Sequence, residues 1–452
     1  MKILILVYFL IIHYALLSNT QKEEALFEGE IDEEETIYTG KVIKYLNITE
    51  ILQNHTEVED EDEDIFISAT QKKFKDNFYN QLNSSEKSIY DELYILCNRM
   101  DPELSFSMTI NKYIDKNNVN IERLMTCFVY DNPKFWWIES YNIGIRNTFE
   151  KNEKNDGSDA KEEYDVLTII TVNFITKDTI FPDLTNEKIY EMNKELYLET
   201  DMLLYQIELL NLHTKFEVLK YIHDYVIRNT VYVDDGEGYV HTLCGPLVQH
   251  KSICSGYSEV FRHIASYFGI NVIIARSLTH EWNYALVNDK WYIIDVTWDD
   301  PAVSKHIFNE TLQAEDKILY RPEKGDYTNL SYDYFLVGTD VFEGDEQGKT
   351  DHDLIYSYFS LKNLVVYPEI EKYNFVREEE IDEYVERIPE VMDEEESSHH
   401  NITDSELKDE EEKSASRKRY DLYFLTLSID SNIKSLLFVF MNITLLLVFL
   451  IF

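Results

Sequence analysis

Residues 251–301 read KSICSGYSEVFRHIASYFGINVIIARSLTHEWNYALVNDKWYIIDVTWDDP. Val260, Phe261, Ile264, Ala265 and Phe268 recur at helical spacing, with Gly269 as a C-cap, so Cys254 stands at a helix N-terminus. Unpaired N–H groups at such an end favour negative charge, which lowers a thiol's pKa. The thiolate is the reactive form of cysteine. The same N–H groups, that of Cys254 among them, are candidate oxyanion donors.

The residues after the helix predict two strands, Ala275 to Asn288 and Lys290 to Thr297, around a tight turn at Asn288-Asp289. In a hairpin with a two-residue loop the paired numbers sum to 577. His280 and Asp295 then become diagonal neighbours on one sheet face, roughly 7 Å apart at the backbone. An odd-length loop would put them on opposite faces. With a shared face, the roles follow: Cys254 attacks, His280 carries the proton, and Asp295 fixes the imidazole tautomer and stabilises the imidazolium. Ser255 and Trp282 are expected to shape the site.

Each residue also has a plain structural reading. A cysteine at a helix start is often a small core residue, and a lone histidine is more often structural than chemical. An aspartate within the apolar run Ile293-Ile294-Asp295-Val296 is harder to dismiss, because a buried carboxylate needs a partner. His223, in the middle of a predicted helix, reads as structural; His250 and His263 are near Cys254 only in sequence. Cys97 and Cys127 are a candidate disulfide, whereas a 244–254 disulfide would block the nucleophile.

The string ICSGYSEVFRHIASYFGI followed by HEWNYALVNDKWYIIDVTWDDP resembles the transglutaminase-like superfamily, most closely its microbial and cytokinesis-type branch. The shared pattern is Cys-x-Gly-Tyr, His-x-Trp-Asn and Trp-Tyr-x-x-Asp-x-Thr-Trp-x-Asp-Pro. The family's nucleophile, base and acid fall on Cys254, His280 and Asp295. IHDYVIRNTVY at 222–232, the DNPKFWW stretch and Tyr334-Phe335-Leu336 resemble flanking segments, so the likeness covers roughly 75–360. It implies an α+β, papain-like transglutaminase core, with the cysteine helix packed on an antiparallel sheet and an α/β extension before it. It also implies a thiol hydrolase or acyltransferase acting on peptide or protein amides. The Gly-Gln-Cys-Trp motif of the calcium-dependent animal enzymes is absent, the local run being Ser252-Ile253-Cys254-Ser255. Cys-x-x-Cys zinc pairs and the papain signature are absent as well. No cofactor or metal is expected, and water or an amine remains open as acyl acceptor. The alternatives are a catalytically silent surface module of the same fold and an acidic scaffold acting through its flanks.

The chain has 452 residues and a net charge of −43. Residues 21–66 carry 16 acids and 3 bases, and 377–413 carry 17 acids and 4 bases, so the acidity sits mostly in the flanks. Such runs read as solvated tethers; calcium or a basic partner is the minority reading, without EF-hand spacing. So acidic a chain does not suit nucleic acid. Met1-Lys2, then ILILVYFLIIHYALL, then Ser18-Asn19-Thr20 read as a secretory signal, a signal anchor being the weaker alternative because the run is short for a span. Leu436 to Phe452 is apolar except for Asn442 and Thr444, which reads as a GPI-attachment signal or a membrane span. Asn47, Asn54, Asn83, Asn309, Asn329 and Asn401 each open a glycosylation sequon. The four cysteines are few for a secreted chain, so the fold must rest on its core.

The resulting organisation is a signal peptide (1–20), an acidic disordered spacer (21–66), the N-terminal extension (67–212), the catalytic core (213–372), an acidic disordered linker (373–434) and an apolar tail (435–452) anchoring the protein to a membrane. Within it the pattern predicts helices from Ser84 to Arg99, Ile121 to Val129 and Glu187 to Leu212, and a helix opened by the capping box Thr214–Glu217. One strand is predicted to start at 134–138 and another to run from Tyr164 to Ile175, with a loop over 147–163.

Overall fold

The computed structural model describes residues 31–46, 49–51, 77–99, 101–151, 164–177, 179–233, 238–300, 330–357, 361, 364–377, 382–385 and 387–388. These belong to the first of two compact units, Met1–Pro389; the second, Glu390–Phe452, lies outside the described residues, as do 1–20 and the apolar tail. Among the described residues no helix is long and apolar enough to cross a membrane. The fold is α+β, built from helices, two larger antiparallel sheets and one short parallel pair.

The N-terminal half forms a five-stranded sheet from β1 (Ile31–Asp32), β2 (Thr36–Lys41), β3 (Ser105–Ile110), β4 (Ser140–Lys151) and β5 (Tyr164–Ile175). All its pairings are antiparallel. Ile170, Val172 and Phe174 of β5 alternate inward, as the period of two requires. α1 (Ser84–Cys97) starts on a capping box of Asn83 and Glu86. α2 (Ile121–Asp131) is buried from Leu124 to Asp131, with Glu122 and Arg123 of its first turn half-buried.

Two longer helices, α3 (Asn186–Leu209) and α4 (Lys215–Asn229), lead into the site-bearing half; Thr214 and Glu217 form the expected capping box. A two-residue parallel pair follows, β6 (Val231–Tyr232) with β7 (Lys251–Ser252). α5 (Cys254–Ser266) then leaves β7 after a single residue and runs through the core, burying Tyr257, Val260, Phe261, Ile264 and Ala265. It packs on α4 and on a four-stranded antiparallel sheet of order β11-β10-β9-β8. Those strands are β8 (Val272–Arg276), β9 (Glu281–Val287), β10 (Lys290–Ile294) and β11 (Phe335–Val337). Short helices α6 (Val296–Asp299) and α7 (Glu346–Asp351) follow β10 and β11.

The β9–β10 register runs from Val287↔Lys290 to Asn283↔Ile294, so every pair sums to 577. Asn288 and Asp289 both have positive φ (52° and 59°), the backbone of a mirror-image two-residue hairpin turn that Asn and Asp tolerate. The segment 275–288 is not one strand. It breaks at 277–280, where Ser277 N–H donates to His280 O (2.9 Å) and His280 N–H to Ser277 Oγ (3.0 Å).

Four expectations about order are corrected. The spacer 21–66 is not disordered throughout: β1 and β2 lie in it, and Val42, Ile43, Leu46 and Ile51 are buried. A window average hides the run TIYTGKVIKYL, which alternates and then turns apolar. Described residues of the linker assigned from 373 are packed on the fold: Lys215 N–H donates to Glu383 O (2.8 Å), Val385 N–H to His213 O (2.7 Å), and Arg387 pairs with Asp201 (2.8 Å). Residues 134–138 form turns rather than a strand, with Phe135, Trp136, Trp137 and Ile138 all buried. Where a loop is expected from 147, β4 continues to Lys151. One apolar core runs from Val42 to Tyr367, so the stretches 67–212 and 213–372 share it.

The N-terminal segment is fastened by charge. Lys44 is buried against Glu259 of α5, whose other oxygen accepts from Leu243 N–H (2.9 Å). Arg276 donates to Lys44 O and to Leu46 O (3.0 Å) and pairs with Glu281 (3.2 Å). Burial raises Glu259 to about 7, against the opposing pull of Lys44. Removing one member of a buried pair leaves the other uncompensated. Lys44→Met is therefore expected to cost about 3–5 kcal/mol, measured by denaturant unfolding, and Lys44→Met/Glu259→Met to recover much of it.

Candidate active site

Cys254 is the first residue of α5. Ile253, the N-cap, makes no side-chain cap hydrogen bond, so no side chain there competes for the first-turn N–H groups. Close packing sets the start of this helix. A Cβ on Gly256 would stand 2.0 Å from Ser252 Oγ and 2.7 Å from Thr242 O, so only glycine fits there. Ser255, expected to shape the site, donates its hydroxyl to His241 O (3.0 Å) and pins the first turn. Tyr257 donates to Asp300 Oδ2 (2.9 Å), tying the helix to the loop after α6.

His280 sits just before β9 and Asp295 just after β10. Their side chains meet, with His280 Nε2 2.6 Å from Asp295 Oδ2. Cys254 is the next group acting on this ring, raising the basicity of His280 after Asp295. Asp295 Oδ1 accepts from Thr297 N–H (3.0 Å) and Trp298 N–H (3.1 Å), capping α6. The carboxylate is thus held from both ends. Trp282, the other expected shaping residue, is buried and stacks near-parallel on His280 at 5.8 Å between centroids.

Burial opposes charge on His280, but Asp295 and the bonds to Asp295 and Cys254 carry its pKa well above the ordinary imidazole range. Burial likewise opposes ionisation of Asp295, but the charge of His280 and hydrogen bonds from His280 and His352 hold its pKa well below the usual carboxylate range. The two shifts agree in describing an ionised carboxylate facing a readily protonated imidazole.

His352, at the C-terminal end of α7, was not anticipated from the sequence. Its Nε2 lies 2.9 Å from Asp295 Oδ2 and its Nδ1 2.8 Å from Gly348 O. His280, Asp295 and His352 bring three ligand-type atoms within 4.8 Å of one another. The N–O spacings of 2.6 and 2.9 Å are those of proton-bridged pairs. Two ligands of one tetrahedral zinc, each at about 2.0–2.2 Å, stand roughly 3.3 Å apart.

A second buried histidine braces the floor of the site. His223 of α4 bonds Asp224 through Nδ1 (3.0 Å) and Asp299 through Nε2 (3.1 Å), and Asp299 also accepts from Ser331 Oγ and Tyr334 N–H (both 3.0 Å). Burial lowers its pKa, but the two carboxylates win and raise it. The sequence reading of His223 as structural fits this position. His263 is also buried, bonded to Thr200 (3.3 Å) and pushed down to about 3 by burial. All four cysteines are free thiols; Cys97, Cys127 and Cys244 are buried and Cys254 is partly exposed. Asn83 caps α1 with its amide oxygen and gives Nδ2 to Asn118 O (2.7 Å), so a glycan on that nitrogen would compete with the second bond. Asn47, Asn54, Asn309, Asn329 and Asn401 lie outside the described residues.

No family model matches the chain, and no curated protein matches it. Among solved structures it is similar to one described as "Crystal structure of a TGase", at 14% identity and a TM-score of 0.21. That alignment covers 52% of this chain and 57% of the other, so the chain spans little more than half the length of that relative. A likeness at this level leaves the chemistry to the residues themselves.

Two outcomes follow from this geometry. Asp295→Asn keeps an oxygen for the α6 cap but removes the charge and reverses the donor order toward His280. It should slow alkylation of Cys254 by about 100-fold or more at neutral pH, read by timed iodoacetamide labelling, while the protein still melts cooperatively. Because the folded pKa of His223 is raised, its stabilisation is fully present below the unfolded imidazole value and is lost as pH rises through the raised one. His223→Gln should flatten that part of the stability–pH curve, measured by thermal melts across the neutral to alkaline range.

Proposed function

We propose that this chain is a transglutaminase-like thiol enzyme that acts on peptide or protein amide bonds through a Cys254 acyl-enzyme. One observation carries the reading: a partly exposed cysteine at a helix N-terminus acts on the His280 imidazole, whose Nε2 lies 2.6 Å from a buried carboxylate. In the reaction the thiolate adds to the amide carbonyl, and the carbon–nitrogen bond breaks as His280 gives its proton to the departing nitrogen. His280 then takes a proton from the acceptor, which attacks the thioester and frees Cys254. Water as acceptor gives peptidase or deamidase chemistry; a primary amine gives acyl transfer. The first-turn N–H groups of α5 face developing negative charge on the substrate oxygen, in keeping with an oxyanion site.

The apolar N-terminal run, the apolar tail and the sequons support a secretory route to the cell surface, with a GPI anchor or a membrane span holding the enzyme there. A peptide or protein substrate is the expected partner.

Burial pushes the Cys97, Cys127 and Cys244 thiols up and out of reach, so iodoacetamide at mildly acidic pH should label Cys254 alone. The rate should exceed that of a free thiol by about tenfold or more. Peptide libraries incubated with and without a primary amine, read by mass spectrometry, should then give hydrolysed or amine-bearing products that vanish in Cys254→Ala. A Cys254 no more reactive than a free thiol, together with a fully active Cys254→Ala, would instead identify a catalytically silent surface module.

A further inference from the structure

We propose that His352 is a positioning residue held as an imidazolium, and that it divides the charge of Asp295 between two rings. The functional half of this inference rests on the thiol-enzyme reading; the charge on His352 does not.

Hydrogen-bond bookkeeping at the ring carries the assignment. His352 Nδ1 lies 2.8 Å from Gly348 O, and a carbonyl oxygen only accepts, so Nδ1 bears a proton. Nε2 lies 2.9 Å from Asp295 Oδ2, and an ionised carboxylate also only accepts, so Nε2 bears one as well. A neutral ring would turn a lone pair toward an acceptor at one of these contacts, the Gly348 carbonyl or the Asp295 carboxylate. The surroundings suit a cation. The His352 ring centroid lies 4.4 Å from Phe342, 4.8 Å from Trp298 and 4.8 Å from Trp282, with Tyr334 near-parallel at 6.2 Å. Three aromatic rings within about 6 Å make a cage of the kind that stabilises cations. The residue is buried, which by itself opposes charge, so the Asp295 carboxylate, the Gly348 carbonyl and the rings together have to offset the lost hydration.

The other titratable groups on the packed elements are accounted for. Asp295 and His280 come from the β9–β10 sheet and Tyr334 from the segment before β11. Asp345, Glu346, Lys349 and Asp351 line α7 and its start, and Asp353 follows it. Glu281 is engaged by Arg276 and Ser258, and Asp299 by His223 and Ser331. Asp295 is the carboxylate that His352 contacts directly.

The consequence concerns the Cys254–His280 pair. The two imidazoles share one carboxylate oxygen, with their ring centroids 5.3 Å apart. A fixed positive charge there favours the Cys254 thiolate and disfavours a proton on His280, so both limbs of the reactivity–pH profile sit lower than they would with Asp295 and His280 alone. His352 acts through Asp295 and touches no reacting atom.

The test uses the full chain in two arms. In ¹⁵N-histidine-labelled Cys254→Ala protein, NMR at neutral pH should find protons on both His352 nitrogens, the signal being identified by its loss in Cys254→Ala/His352→Gln. In protein with Cys254 intact, His352→Gln keeps a donor to Asp295 but removes the charge. It should move both the acid and the alkaline limb of the iodoacetamide rate profile to higher pH, and His352→Lys should move them back. A single proton on His352, or a bound zinc in its place detected by elemental analysis, would overturn the proposal. So would a His352→Gln profile with lowered rates and unmoved limbs, the mark of a purely structural role. Slow alkylation of Cys254 in the unsubstituted protein would count against the enzyme reading, and the first arm would still decide the charge on His352.

Discussion

Asp295 is a carboxylate with no solvent exposure, and burying one costs several kcal/mol unless hydrogen bonds and opposite charge compensate it. Here every lone-pair direction is used. Oδ1 takes two backbone N–H groups of the α6 turn, and Oδ2 takes two histidines. The end of β10, the turn of α6, the approach of His280 from β9 and the docking of α7 all converge on this one group. The site is rigid because a single desolvated charge would be left unsatisfied by the movement of any of these elements.

Around that centre, each short motif has a mechanical task. Gly256 lets the start of α5 approach the 242–252 backbone, and Tyr257 anchors to Asp300. Asn283 Nδ2 donates to Ser258 O (3.0 Å), joining β9 to the cysteine helix. Asp299, four residues after Asp295, is drawn into the His223 cluster instead. Two buried acid–histidine systems therefore flank α6, one beneath the thiol and one bracing α4.

How much of this was legible depended on distance along the chain. Cys254, His280 and Asp295 fall within fifty residues, and a hairpin whose loop has two residues converts their numbers into a shared face by parity alone. Pairing ends at Ile294, so Asp295 reaches His280 from a helix cap rather than from a strand position. His352 was not legible. Fifty-seven residues separate it from Asp295, and nothing in Lys349-Thr350-Asp351-His352-Asp353 marks it as a partner. The N-terminal strands were obscured for another reason: acids before and after them dominated a composition window, whereas strand formation depends on the alternation of a few residues. The turn at 134–138 misled because a dense apolar run fits a buried strand and a buried turn equally well.

The buried pair between Lys44 and Glu259 spans 215 residues of chain. During synthesis the segment that carries Lys44 leaves the ribosome long before the helix that neutralises it exists. At about 5–20 residues per second the interval is on the order of 10–40 s. Throughout that time a lysine destined for a dry interior stays in water, and β2 has to wait for β4 as well. The first part of the domain to be made is thus among the last to settle. The thiol helix gains its under-layer only when translation has passed Arg276, whose guanidinium holds the Lys44 and Leu46 carbonyls. Assembly of the support for Cys254 is therefore a late event in the life of the nascent chain.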